Sequence, residues 1–139
     1  MKHLFAIILL FTGSVCFAQA TTSTNQTISS GNSTALQLDL RAETIEIKKT
    51  KGSRVVVELH VTLSNMPNNS LLDYLVKAGR YELITSIDAS TQTLIIKRKV
   101  NSNVILVKGK ECTEKIRYVV LVPESIKTIT ENGITTPIE

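Results

Sequence analysis

Two side chains of this 139-residue sequence could take part in nucleophilic chemistry once the first residues are set aside, Cys112 and His60. A thiolate attacks, and an imidazole can take the proton that frees it. The thiol sits in Glu111-Cys112-Thr113-Glu114, with Lys108, Lys110 and Lys115 close by. The lysines would lower its pKa and the glutamates would oppose them. Nothing in the pattern puts His60 beside it, so a Cys–His dyad would rest on the tertiary fold alone. One histidine and one cysteine do not complete a zinc site without carboxylates. The acidic residues lack the spacing of a calcium loop, and no glycine-rich loop is present to cradle a phosphate. The expectation is a chain with no catalytic, cofactor-binding or metal-binding residue, and not an enzyme. Cys112 stays as a candidate reactive thiol, against the plainer reading of a cysteine buried as a small apolar residue.

Binding offers a second set of candidates. Tyr74, Leu75 and Val76 fall on a predicted helix, and with Tyr81 and Tyr118 they could line a ligand crevice between helix and sheet. The formal charge is +4, and Lys97-Arg98-Lys99 and Lys108-Gly109-Lys110 are the densest basic spots. Nucleic-acid binders usually add stacking aromatics to such spots. Tryptophan is absent and aromatics make up 4%, so no nucleic-acid partner is expected. The lysines read as solubilising and edge-protecting residues on strands.

The elements that would hold these side chains are mostly strands. In 54–63, Val55, Val57, Leu59, Val61 and Leu63 alternate with Val56, Glu58, His60 and Thr62. That is a strand with one buried face, and His60 is on the wetter one. Leu36, Leu38 and Leu40 predict an earlier strand, and Ile45 and Ile47 another. Lys51-Gly52 reads as a turn with glycine available for a positive φ, making 44–63 a hairpin. Ser70 and Asp73 fit a capping box, and Leu71, Leu72, Leu75 and Val76 share one face of a short helix ended by Gly79. Strands are expected at 81–87, 93–98, 104–107 and 115–122, the last stopped by Pro123. The fold class is all-β, mainly antiparallel and sandwich- or solenoid-like, with one short helical insertion near 70–78.

The ends carry the address. Lys2 and His3 precede the apolar run 4–11, and Ala18-Gln19-Ala20 offers small residues for cleavage after Ala18 or Ala20. Residues 1–20 therefore read as an export signal, with no transmembrane segment left after cleavage. A lipoprotein through Cys16 is a weaker alternative, since Val15 precedes the cysteine. Residues 21–34 are rich in Thr, Ser and Asn and predict a flexible polar linker. Residues 35–123 form the β-rich domain, and 124–139 are a tail or the start of a β-repeat. Ile126, Ile129 and Ile134 recur there with no segment after them to cover them, so edge-strand self-association through 124–139 is expected as one outcome.

Leu36-Gln37-Leu38-Asp39-Leu40, then Thr44-Ile45-Glu46-Ile47, then Lys51-Gly52-Ser53-Arg54-Val55-Val56-Val57 resembles the opening of bacterial adhesin-type families. These are the DUF4097-type proteins and the related head domain of autotransporter adhesins. Val120-Leu121-Val122-Pro123 followed by Asn132-Gly133 is similar to their later repeats. The resemblance implies strand repeats stacked as a β-solenoid and closed by Asn-Gly turns. It supplies no catalytic residue, and the 70–78 helix departs from it. The expected function is an exported, non-catalytic β-domain of the bacterial cell envelope, periplasmic, outer-surface or secreted, working as a structural or interaction module. The alternative is a small-ligand or glycan-binding β-domain. The expected partner is an envelope protein or a glycan.

Overall fold

A computed structural model describes residues 19–66, 68–101 and 103–138. The strands in chain order are β1 (Gln19–Ser29), β2 (Ala35–Asp39), β3 (Thr44–Thr50) and β4 (Arg54–Ser64). After helix α1 (Ser70–Lys77) come β5 (Leu83–Asp88), β6 (Thr93–Arg98), β7 (Leu106–Val107) and β8 (Lys110–Glu111). The chain closes with β9 (Glu114–Pro123), β10 (Thr128–Glu131) and β11 (Ile134–Pro137). One sheet has the order β1-β4-β9-β3 and the other β11-β10-β2-β6-β5, while β7 and β8 form a separate ribbon. The fold is all-β with one short helical insertion.

The alternation in 54–63 is realised as read. Val55, Val57, Leu59, Val61 and Leu63 are all buried, and they meet Leu36, Leu38, Leu94 and Ile96 of the opposite sheet in one core. The period of two puts every second residue inward, so a strand with five such residues commits a whole face to the core.

The predicted 44–63 hairpin is corrected. β3 and β4 are not neighbours, because β9 lies between them, antiparallel to β4 and parallel to β3. The physical reason is in β9 itself. Its stretch Tyr118-Val119-Val120 is buried on both faces, so it belongs in a sheet interior with a partner on each edge. Gly52 does not take a positive φ, whereas Asn132 and Gly133 do, at 52° and 78°, and form the tight turn between β10 and β11.

The predicted flexible linker is also corrected. Its first nine residues are part of β1, which pairs with β4 along its whole length, from Gln19 opposite Ser64 to Ser29 opposite Arg54. Only Ala20 and Ile28 of this strand are buried. Backbone hydrogen bonds to β4 and the β-branched threonines hold it, not apolar burial. Composition alone counts the missing apolar area and not the ladder offered by a neighbour. The leader falls mostly on residues 1–18, outside the described residues.

Two shorter strands differ as well. β5 begins at Leu83, and Tyr81 belongs to the turn before it. In 104–107 only Leu106 and Val107 pair, and Val104 and Leu106 are exposed. In the tail, Thr128–Glu131 and Ile134–Pro137 form β10 and β11, with β10 parallel to β2.

The parallel pairs record a coiling path. The chain passes from β2 in one sheet to β3 in the other through Arg41, which takes a φ of 46°. It later passes from β9, beside β3, to β10, beside β2. Two partial turns therefore lie side by side and wind in the same sense; β2 also pairs parallel with β6, and the other strand pairs of the sandwich are antiparallel.

Candidate functional site

The densest set of convergent polar side chains gathers where α1, β6 and β9 end or begin. Helix α1 starts without the predicted capping box. Asn69 is its N-cap and makes no side-chain cap bond, while Asn68 Oδ1 accepts from the Ser70 N–H at 3.0 Å. Its C-terminus is firmer. The Arg80 N–H reaches the Leu75 carbonyl at 3.1 Å and the Gly79 N–H the Val76 carbonyl at 3.0 Å, with Gly79 at a φ of 78°. This paired closure needs a left-handed residue, which glycine adopts without a Cβ clash. It turns the chain so that Arg80 and Tyr81 meet the first residues of β9.

There, Arg80 Nε donates to Glu114 Oε1 at 2.9 Å and Arg80 Nη2 to Glu114 Oε2 at 2.8 Å. The Tyr81 hydroxyl donates to Glu114 Oε1 at 2.6 Å. Arg80 Nη2 also donates to the Asn103 carbonyl at 2.9 Å, which ties down Asn103 beside the cluster. The planar guanidinium matches the carboxylate two-pronged, the strongest form of such a pair. The Arg80 side chain is 10% exposed and that of Glu114 23%.

These contacts move the titrations in opposite senses. Burial works to raise the Glu114 pKa, but the hydrogen bonds from Arg80 and Tyr81 and the Arg80 charge outweigh it and hold the carboxyl below its usual range. The hydrogen bond to Glu114 raises the Arg80 pKa against the effect of burial. Burial first, then the hydrogen bond to Glu114, pushes the Tyr81 phenol up. Burial also pushes Tyr118 up to about 12 against the opposing Arg98 charge. Each group is fixed in its ordinary charge state near neutrality. Neither an acid nor a base is poised for proton transfer.

The space beside the cluster is small. A cavity of about 20 Å³ is lined by Arg80, Tyr81, Arg98, Lys99, Asn101 and Glu114. That is room for about one water, not a substrate. Arg98 Nε and the Tyr118 hydroxyl are buried without a well-formed hydrogen bond among the described residues, although the Arg98 charge acts on Tyr118. The arrangement is a clamp. It fastens the end of the helical insertion to the first residue of β9.

The crevice expected from Tyr74, Leu75, Val76, Tyr81 and Tyr118 is not assembled. Tyr74 is 65% exposed, whereas Tyr118 is 0% exposed and sits inside the core. Leu75 and Val76 are half-buried and pack on the core, and Tyr81 is spent on Glu114. Cys112 is buried, with its Sγ 4.0 Å from the Asn65 carbonyl oxygen. His60 faces outward from β4 with its Nε2 4.0 Å from Glu58 Oε2. The thiol is buried beside Asn65 and the imidazole faces outward beside Glu58, and no hydrogen bond joins them among the described residues. Among the described residues, no group of three or more His, Cys, Asp or Glu gathers to hold a metal ion.

A different opening lies between β1 and β5. Gln26, Thr27, Ile28 and Ser29 face Thr85, Ser86, Ile87 and Leu94 across a groove of about 510 Å³. It carries hydroxyls, an amide and apolar side chains, and no charge. Sequence reasoning missed it because one wall, 26–29, read as a flexible linker. The usable signal was the length of uncharged Thr/Ser/Asn text ending in Ile28.

Among the described residues no helix is long and apolar enough to cross a membrane. Comparison with protein-family models, curated proteins and solved structures finds no match to this chain.

Proposed function

We propose that this chain is an exported, non-catalytic β-domain of the bacterial cell envelope, acting as a structural or interaction module of adhesin-like kind. One observation carries the reading. The sandwich leaves uncharged stretches of sheet edge open, along β1 and along residues 83–87 of β5, while Arg80, Tyr81 and Glu114 are spent on one another. An open edge presents unpaired N–H and C=O groups, and proteins that must stay apart usually guard such rows with charge or proline. The tail adds another edge at β11, all of whose residues are exposed, so 124–139 is also available for self-association. Export is supported by the leader pattern and by its junction with the fold. Cleavage after Ala18 leaves β1 whole, whereas cleavage after Ala20 removes Ala20, which is fully buried.

A second reading rests on the groove itself. Gln26, Thr27, Ser29, Thr85 and Ser86 offer neutral donors and acceptors of the kind that suits a glycan or another uncharged polar ligand.

The test has two arms. Mass spectrometry on fractionated bacteria should find a mature protein beginning at Gln19 in the envelope or medium. An intact Met1 form in the cytoplasm would overturn the export reading. Hydrogen exchange across a dilution series should show protection of β1, β5 or β11 that rises with concentration or with added envelope material. Fast exchange at every edge under all conditions would remove the interaction reading, and protection by a neutral oligosaccharide alone would favour the second.

A further inference from the structure

We propose that β5 pairs antiparallel with β5 of a second copy of this chain, centred on Thr85, joining two five-stranded sheets into one. The inference deepens the interaction-module reading and rests on it.

The four edges of the two large sheets are unequally guarded. β1 has neither charge nor proline, but its exposed side chains are all polar, since Ala20 and Ile28 are its apolar residues and both are buried. β3 carries Glu46, Lys48 and Lys49, and β11 is four residues long and ends in Pro137. β5 shows Leu83-Ile84-Thr85-Ser86-Ile87 with neither charge nor proline, and residues 84–87 are all exposed. Ile84 and Ile87 are each 55% exposed, an apolar surface that alternation would not leave on both faces of a strand covered by its own domain.

The backbone parity is readable. The Lys99 N–H donates to the Glu82 carbonyl at 2.9 Å, continuing the register in which Ile84 faces Lys97 and Ser86 faces Ile95. Hydrogen-bonded pairs recur at every second residue, so Glu82, Ile84 and Ser86 turn their backbone groups toward β6. Leu83, Thr85 and Ile87 then turn theirs to the open edge. By alternation these three side chains share the face of buried Leu83, which is also the face bordering the groove.

A second copy is the occupant because this edge complements itself. A two-fold axis perpendicular to the sheet keeps each side chain on its own face, so residues of like parity must meet. Centring it on Thr85 sets Leu83 opposite the partner's Ile87, Thr85 opposite the partner's Thr85, and Ile84 opposite the partner's Ser86. The outward-facing backbone groups at 83, 85 and 87 all fall in hydrogen-bonded pairs. Apolar meets apolar and hydroxyl meets hydroxyl on the groove side, both favourable cross-strand pairings. At the margins Glu82 comes opposite the partner's Asp88. Lys99 Nζ lies 3.7 Å from Glu82 Oε2, and Asp88 accepts from the Ser90 N–H at 2.9 Å and its hydroxyl at 2.6 Å, so the like charges are partly compensated. Added salt should therefore tighten the dimer.

The test is cysteine cross-linking of the full chain carrying Cys16→Ser and Cys112→Ser. In a hydrogen-bonded antiparallel pair the facing Cα atoms are about 5.5 Å apart, within disulfide reach. Thr85→Cys should convert most of the protein to a linked dimer under mild oxidation. Ser86→Cys and Thr135→Cys should stay mostly unlinked. Sedimentation should show a concentration-dependent dimer of the unmutated chain that Ile87→Lys weakens tenfold or more, with the melting temperature confirming that each variant folds. Linking at Ser86→Cys would overturn the register. Linking at Thr135→Cys alone would move self-association to β11 and overturn the proposal while sparing the interaction reading. A chain that is monomeric at every concentration overturns it too. The interaction reading then stands or falls separately, on the exchange protection given by envelope material.

Discussion

The seam between the two sheets is closed on one side and open on another, and the two places use contrasting chemistry. Near the start of β9, Arg80, Tyr81 and Glu114 form a compact set of charge-assisted bonds around a cavity of about 20 Å³. Between β1 and β5 the lining is uncharged, the groove is about 510 Å³, and β5 overhangs with both isoleucines exposed. A half-buried ion pair fixes geometry because each partner left alone would be costly. An uncharged edge fixes nothing and can accept another strand. The difference teaches where this fold is committed to itself and where it is left available.

Both seams depend on the core beneath them, and the largest effects belong there. Val57 is 1% exposed, and Val57→Asp would place an unpaired carboxylate among apolar side chains. The expected loss is of order 4 kcal/mol or more, read as loss of the cooperative thermal transition. Glu58→Lys, on the outer face of the same strand, should leave that transition nearly in place. If the two variants behaved alike, the register of β4 would be wrong.

The clamp comes next. Glu114→Ala leaves Arg80 and the Tyr81 hydroxyl without their partner and should cost about 2 kcal/mol, less than a fully buried pair because Glu114 retains some solvent. Chemical denaturation measures it, with Glu114→Gln as the milder control. The pH dependence has a definite sign. The folded-state pKa of Glu114 lies below its usual value of 4.5, so its contribution is present above that value and is lost as pH falls through the folded-state pKa. Glu114→Gln should flatten part of the acid limb of stability. A residue of that limb should survive, because the hydrogen bonds to Glu46 from Arg117 and Lys48, and those to Asp88 from Ser90 and Thr91, lower those carboxyls as well. At the alkaline end Tyr118 titrates up to about 12 in place of 10.0, so its contribution is full below pH 10.0 and declines as pH rises toward 12. An acid limb identical in Glu114→Gln and the parent would sink the clamp.

Cys112→Ser tests the thiol. The side chain is 6% exposed near the Asn65 carbonyl, and the substitution should cost about 1 kcal/mol with the fold intact. Non-reducing gels of the parent should show no dominant Cys112-linked dimer. Such a dimer would mean that the buried thiol is reached by another chain.

How far these features could be read in advance follows from the range of the interactions. The buried face of β4, the end of α1 at Gly79 and the stop at Pro123 are local, set by period, backbone freedom and a missing N–H. The placement of β9 between β3 and β4 is not local. It depends on strands far apart in sequence competing for one edge, and Lys51-Gly52 between two alternating stretches looks locally like the turn of a simple hairpin. β1 was hidden because its order comes from the ladder of β4. At the candidate site, Tyr81 reads from the sequence as a crevice-lining residue, and in the fold its hydroxyl is spent on Glu114. Arg80 and Glu114 carry no spacing signal, and the groove shows in the sequence only as the uncharged Thr/Ser/Asn stretch that ends in Ile28.

The smallest effect sharpens the contrast most. Ser86 is exposed on β5 and pairs only through its backbone with Ile95. At a dilution where the chain is monomeric, Ser86→Lys should change stability by about 0.5 kcal/mol or less, the usual range for an exposed position away from any special contact. The same substitution puts a charge on an edge that has none between Leu83 and Ile87, which is how sheet proteins commonly discourage strand addition. Its predicted signature is therefore a stability nearly equal to the parent's together with reduced self-association, the reverse of Glu114→Ala, which should lose stability and keep its edge. Denaturation curves and sedimentation on both variants decide the matter. If Ser86→Lys cost as much stability as Glu114→Ala, the open seam would be part of the monomer's own structure, and the division between a committed and an available side of this sandwich would fail.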